Sequence, residues 1–175
     1  MSAQPTATQW DAEGNLEVLT FNLGAETFAL EATLVREILD LLPETRVPGA
    51  APLLGSVVNF RGKIIPIADL RLAFAMPAAE ATVDSRIVVI ETQVETDAGG
   101  ETFQIGIRTD KVHEVATLQR AASEEPPAVG MRWRRDFVRE LVRRQDGVVV
   151  LPDLAAIFHS LVGGTDAASQ PSTVH

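Results

Sequence analysis

Residues 55–71, G-S-V-V-N-F-R-G-K-I-I-P-I-A-D-L-R, decide how this chain is read. Two apolar runs, Val57–Phe60 and Ile64–Ile67, flank Arg61-Gly62. Their shortness and β-branched content favour strands, and glycine supplies the positive φ that a tight hairpin requires. Pro66 has no amide hydrogen to donate, which predicts that the second strand lies at a sheet edge or ends there. Arg61 then stands at a sheet corner, where a long cation reaches a partner's carbonyls or carboxylates. The plainer alternative for Arg61 is a solvated turn residue. Asp69 is read as the cap of a short helical turn holding Leu70 and Phe74, since no second carboxylate is set beside it for acid chemistry.

Upstream, Glu17, Leu19, Phe21 and Leu23 alternate with Val18, Thr20 and Asn22, which predicts a half-buried strand. Gly24-Ala25-Glu26 turns it into a second strand through Phe28 and Leu30. Val35–Leu39 forms a short helix or strand with Glu37 exposed. Residues 1–14 are expected to be mobile, with Trp10 the one residue able to dock. Downstream, Met76–Asp84 reads as a surface connection and the best internal boundary. Arg86–Glu91 suits a buried strand, 94–101 a polar loop, and Phe103, Ile105 and Ile107 a further hairpin arm. Gly106 within that arm signals close approach of another backbone.

The segment 131–144 carries Arg132, Arg134, Arg135, Arg139, Arg143 and Arg144. Its apolar residues 133, 137 and 141 fit one helical face. The competing reading is a strand over Phe137–Val142, because a turn signal at 145–147 and the run Val148–Leu151 follow. The arginines are read first as a solvated face, second as a dock for an acidic protein and third as a nucleic-acid or anionic-membrane surface, which the acidic total and the interspersed Asp136 and Glu140 disfavour. Last, Asp153 caps a helix through Leu154, Ile157, Phe158 and Leu161, stopped at Gly163-Gly164, and 165–175 is expected to be disordered.

The 175 residues fit one domain or two small ones sharing a core. With 46% hydrophobic residues, 5% aromatic and no Tyr, that core is aliphatic. A net charge of −9 argues against nucleic acid, whose phosphates need a basic surface. The absence of cysteine excludes disulfides, thiolate zinc sites and a cysteine nucleophile. The N-terminus lacks the pattern of a secretory signal, and no apolar run nears the about 20 residues of a spanning helix. A soluble protein is expected.

Chemistry is sparse. His113 with Asp110 and Glu114 sketches part of a metal site, but the surrounding V-x-x-V pattern disfavours the helix needed to converge them. His159 fits the end of the last helix. No nucleophile elbow, Walker loop or dinucleotide fingerprint occurs. Catalytic, metal and cofactor sites are all read as none. The short strands between Gly, Pro and Asp turns argue for an all-β, barrel-like fold.

The spacing Asn59-x-Arg61-Gly62, three residues, Pro66, two residues, Asp69-Leu70-Arg71 resembles the signature of the CheW family, the bacterial chemotaxis coupling proteins. So do F-x-L-G-x-E-x-F-A-L at 21–30, V-x-E-I at 35–38, G-I-R-T-D-K-V-H-E-V at 106–115 and L-x-D-L at 151–154. Three places depart from the pattern: Ser56 for a glycine, Thr109 for an apolar residue, and Arg139-Glu140-Leu141 for a small residue or glycine. The resemblance implies two SH3-like five-stranded β-barrels on a shared core, and its hairpin in this region favours the strand over Phe137–Val142. The expected divisions are a flexible 1–15, a first barrel over 16–76, a second over 85–151, a helix over 153–162 and a flexible tail over 163–175.

It further implies a non-enzymatic scaffold coupling transmembrane chemoreceptors to a CheA-type histidine kinase, in the cytoplasm at membrane-bound arrays. The receptor's helical hairpin tip is expected in a groove between barrels, on Val35, Glu37, Asn59, Arg61, Gly62, Ile87, Val88 and Gly106. The kinase's regulatory domain is expected near Ala32, Leu34 and Ile38. Rival readings are a CheW-like adaptor for another output, such as pilus motility or cyclic-dinucleotide control, and a small-molecule-binding or enzymatic β-barrel.

Overall fold

A computed structural model describes residues 7–96, 99–126, 133–145 and 147–163. The tail over 165–175, the first six residues, Arg132 and Asp146 therefore lie outside the described residues. In chain order the strands are β1 (Asn15–Leu23), β2 (Glu26–Glu31), β3 (Val35–Asp40), β4 (Thr45–Arg46), β5 (Ser56–Phe60), β6 (Lys63–Ala68), β7 (Arg86–Thr96), β8 (Gly99–Thr109), β9 (Lys111–Gln119), β10 (Ser123–Glu124), β11 (Val138–Arg144) and β12 (Gly147–Pro152). Two short helices, α1 (Leu70–Ala73) and α2 (Leu154–Phe158), each follow an aspartate cap: Asp69 accepts from the Arg71 amide and Asp153 from the Ala156 amide. Residues His159–Gly163 continue α2 as a wider π-type turn.

The strands make two six-stranded sheets, ordered β10-β11-β12-β2-β1-β9 and β3-β7-β8-β6-β5-β4. One strand in each, β10 or β4, has only two residues, which accounts for six where five were expected. Each sheet curls round its own core. The first encloses Leu16, Val18, Ala29, Leu118, Val142 and Val149. The second encloses Val58, Ile65, Ile67, Ile87 and Val89. Opposite faces of both meet in a third, larger core with Phe21, Phe28, Phe74, Ile90, Ile107 and Phe137. This is the arrangement of two SH3-like barrels about a shared core.

Sheet membership does not follow the halves of the chain. Residues 35–109 supply every strand of the second sheet, while both ends build the first. The exposed connection over 76–84 therefore falls within one sheet, between β6 and β7, not between the two.

Several local expectations change for physical reasons. Strand β1 is not half-buried, because Leu19, Phe21 and Leu23 face the shared core while Leu16 and Val18 face the first sheet's own. Strand β6 is not an edge: β5 flanks it on one side, and β8 joins on the other at Ile67 and Ala68, just beyond Pro66. The missing amide of Pro66 thus marks where the second neighbour begins. Within the polar loop expected over 94–101, residues 94–96 and 99–101 instead continue β7 and β8, paired in register from Arg86↔Thr109 to Thr96↔Gly99, and 97 and 98 lie outside the described residues. The short strand β10 pairs with β11 through Ser123↔Val142. The strand expected over 137–142 is present as β11, preceded by a 3-10 turn at Arg135–Phe137. Near the N-terminus, Trp10 packs on the first sheet's core, and the Asp11 carboxylate accepts from the amides of Glu13 and Asn15.

Candidate functional site

The hairpin read from residues 55–71 forms with Asn59 paired to Ile64 and Phe60 to Lys63. Arg61 and Gly62 occupy the turn with φ of 53° and 80°. Two successive positive φ values suit the right-handed twist of the strands and call for Asn, Asp or Gly. Arginine there is the costlier choice, since its Cβ crowds the following carbonyl. The turn is pinned from within: the Gly62 amide donates to Asn59 Oδ1 at 2.9 Å.

Arg61 is held but not covered. Its guanidinium carbon lies 4.5 Å from the centre of the Phe60 ring, and Nη1 donates to Glu37 Oε1 at 3.3 Å. The side chain stays 75% exposed. An ion pair this open is worth at most about 1 kcal/mol, so it orients the arginine without sequestering it. Glu37 comes from β3, across the mouth of the second barrel. Between the two lies a cavity of about 380 Å³ bounded by Arg36, Phe60, Lys63 and Gln104, with Ile65 and Val89 as its apolar floor. Arg36 donates from Nε and Nη2 to Glu91 Oε2 at 2.9 and 2.7 Å, which closes one side.

The structure thus brings together Glu37, Asn59, Arg61 and Gly62. Val35 is half-buried against the shared core. Three expected contact residues are not at the surface. Ile87 and Val88 are 1% and 0% exposed, because β7 lies inside its sheet and buries both faces. Gly106 is buried too, and a Cβ there would stand 2.7 Å from both Ile67 Cδ1 and Ile87 Cγ2. The close approach at Gly106 is made by these side chains, not by another backbone. In the other predicted set, Ala32 and Leu34 are half-buried in a 3-10 turn, whereas Ile38 is 47% exposed on the edge strand β3.

Sequence reasoning missed Phe60, Lys63 and Gln104 at the cavity, and also the exposed Ile64 and Phe103. Ile67 pairs with Gly106 in the parallel β6–β8 register, which puts Ile64 and Phe103 on neighbouring strands. The alternation in each run was legible, but the parallel register that joins them was not.

The rest of the Asp69-Leu70-Arg71 string is structural. Arg71, with its side chain 9% exposed, donates from Nη1 and Nη2 to Asp110 at 2.7 and 2.5 Å and from Nε to the Pro77 carbonyl. Asp110 also accepts from the Gly24 amide at 2.6 Å, while its own amide donates to the Asn22 carbonyl. The Arg71 hydrogen bonds hold the Asp110 carboxyl below the usual aspartate range, against an opposing push from burial and with help from the Gly24 amide. The same bonds raise Arg71. Asp110 is therefore committed to Arg71, while His113 and Glu114 are exposed. A larger cavity, about 760 Å³, opens at the end of the first barrel by Thr20, Lys111, His113 and Arg144. Among the described residues no group of three His, Asp or Glu side chains is placed to hold a metal, and no helix is long and apolar enough to cross a membrane.

Comparison with known proteins agrees with this architecture. The family model described as CheW-like domain matches residues 17–162. The chain is 29% identical over 147 residues to the chemotaxis protein CheW of Rhizobium meliloti (strain 1021), covering 84% of this chain and 90% of that protein. It is 24% identical over 142 residues to the chemotaxis protein CheW of Bacillus subtilis (strain 168), covering 81% and 86%. Among solved structures, the scaffolding protein TtCheW from Thermoanaerobacter tengcongensis superposes with a TM-score of 0.69 at 26% identity, covering 82% of this chain and 92% of that one. With a family model spanning most of its length and its signature arginine raised on the hairpin turn, the chain belongs to the CheW-like domain family.

Proposed function

We propose that this chain is a non-enzymatic chemotaxis adaptor, with residues 16–162 as the adaptor unit, coupling the cytoplasmic tips of chemoreceptors to a CheA-type histidine kinase. The observation that carries it is Arg61: a side chain placed at a strained turn where Asn or Gly would fold more easily, and left largely exposed above an apolar-floored cavity. Strain kept at an exposed position is a mark of function. The family membership supplies the class, a scaffold whose requirement is two docking surfaces and no reaction centre.

The receptor face comprises Arg61, Glu37 and the turn residues Asn59 and Gly62, with half-buried Val35 beside them. Ile64 and Phe103 supply the exposed apolar contact that buried Ile87, Val88 and Gly106 do not. Those three support the face from beneath. The kinase face lies on β3 and the turn before it, with Ile38 as its exposed residue and Ala32 and Leu34 as its support. Such an adaptor works in the cytoplasm against membrane-bound arrays.

Titration calorimetry against the regulatory domain of a CheA kinase and against a receptor hairpin fragment from the same cell tests this directly. Saturable micromolar binding to both is expected. Folded protein that binds neither would overturn the reading.

A further inference from the structure

We infer that Arg139 and Glu31 form a largely enclosed clamp that positions the crossover from the first sheet to the second, making Arg139 a positioning residue for the segment 32–38. Its role in docking rests on the proposed adaptor reading; the clamp itself does not.

The crossover begins where β2 ends. Glu31 is the last residue of β2, and the chain then leaves the first sheet through the 3-10 turn Ala32–Leu34 to join the second as β3. Arg139 Nη1 donates to Glu31 Oε1, with the two side chains only 14% and 17% exposed. Arg139 can reach that far because of a bulge in β11. The register runs from Val138↔Pro152 to Glu140↔Leu151, so Arg139 has no residue directly opposite it on β12. Its side chain extends past β12 to the end of β2.

The far end of the crossover is tied separately. Arg36 donates to the Thr33 carbonyl and to Glu91 of β7. Between these two ties Leu34 and Val35 are only half-buried, so packing alone constrains the turn weakly.

Two observations separate this pair from an ordinary surface contact. Arg143–Glu124 on the same strand is 70% and 50% exposed, a class of pair that contributes little. Arg139, in contrast, is largely enclosed at a cost, for its Nε is buried with no hydrogen-bond partner among the described residues. An apolar pair of similar volume would be at least as stable. What the ionic pair adds is direction: the bond from Nη1 to Glu31 Oε1 holds β11 beside the end of β2. The pair sets geometry more than stability.

The test is hydrogen exchange on the full chain, comparing wild type, R139M, R139K and the double variant E31L/R139M. In R139M the amides of 32–38 should exchange about tenfold faster or more, while those of β1 and β8 keep their protection. The double variant should recover the urea midpoint of the wild type yet leave 32–38 deprotected, a split that a purely structural role would not produce. R139K keeps the charge without the guanidinium and should show a smaller effect in the same segment, which serves if the double variant fails to fold. Wild-type protection of 32–38 in every folded variant, or loss spread evenly over both sheets, would overturn the clamp. Calorimetry against the kinase regulatory domain then separates the two ideas. Absence of wild-type binding would sink the adaptor reading, with the exchange result still deciding the clamp. A roughly tenfold weaker affinity for E31L/R139M is expected if both hold.

Discussion

Arg61 places strain and exposure on one side chain, and the two can be separated by substitution. Arg61→Asn suits a turn with two positive φ values and relieves crowding worth about 1 kcal/mol, at the loss of weak contacts to Phe60 and Glu37. Its stability by urea titration should match or slightly exceed the parent, while receptor-fragment affinity falls. Arg61→Glu should weaken that affinity about tenfold or more with the cooperative transition unchanged, because it reverses charge at an exposed turn. Loss of cooperative unfolding in either variant would show that the arginine is structural. Gly106 is the opposite case. Gly106→Val forces a side chain against Ile67 and Ile87, and a loss of about 1–3 kcal/mol is expected in the same titration. Departures from the family pattern also find partners: Ser56 donates to Glu44, and Thr109 donates to the Arg86 carbonyl at 3.1 Å. A buried hydroxyl is tolerated where it is satisfied.

Among the elements, the junction at Asp110 carries the most. It joins the β1–β2 turn, the β8–β9 corner and α1 through Arg71, and so ties the two sheets together. Because the folded Asp110 titrates below its ordinary range, its contribution is complete above about pH 4 and is lost as pH falls through that value toward the lower folded pKa. Asp110→Asn should cost about 3 kcal/mol at pH 7, since it leaves the buried Arg71 charge uncompensated. Stability of the variant should also fall less steeply between pH 4 and pH 2 than that of the parent; parallel curves would mean that other carboxylates govern the acid limb. The β7–β8 hairpin shows what an element's sequence conceals. Its outer half is polar and glycine-bearing, which reads as loop, yet the antiparallel ladder continues because backbone hydrogen bonds do not require an apolar face.

For the whole molecule, three cores share strands. Strand β1 contributes to both the first sheet's core and the central one, so neither barrel buries its apolar surface alone. The two tryptophans report on different cores: Trp10 packs on the first sheet's core, and Trp133 lies 5.2 Å from Phe74 and 6.0 Å from Phe28 in the shared one. Single-tryptophan variants W10F and W133F should give coincident urea transitions, as a two-state unit requires. An earlier transition at Trp10 would show that the first barrel opens separately.

The sequence by itself determined the local geometry. Turn chemistry at Arg61-Gly62, caps at Asp69 and Asp153, alternation in the strands and the family signature are all set by neighbouring residues, and these were legible. Only the tertiary structure decided which strands share a sheet, since β3 pairs with β7 and β9 with β1 across long stretches of chain. That choice also decided which of the expected contact and signature residues stay exposed. Arg61 does; Ile87, Val88, Gly106 and Arg71 are enclosed. The physical reason is burial: a strand's pattern names its two faces, but a core on one face or on both is created only when distant segments pack against it.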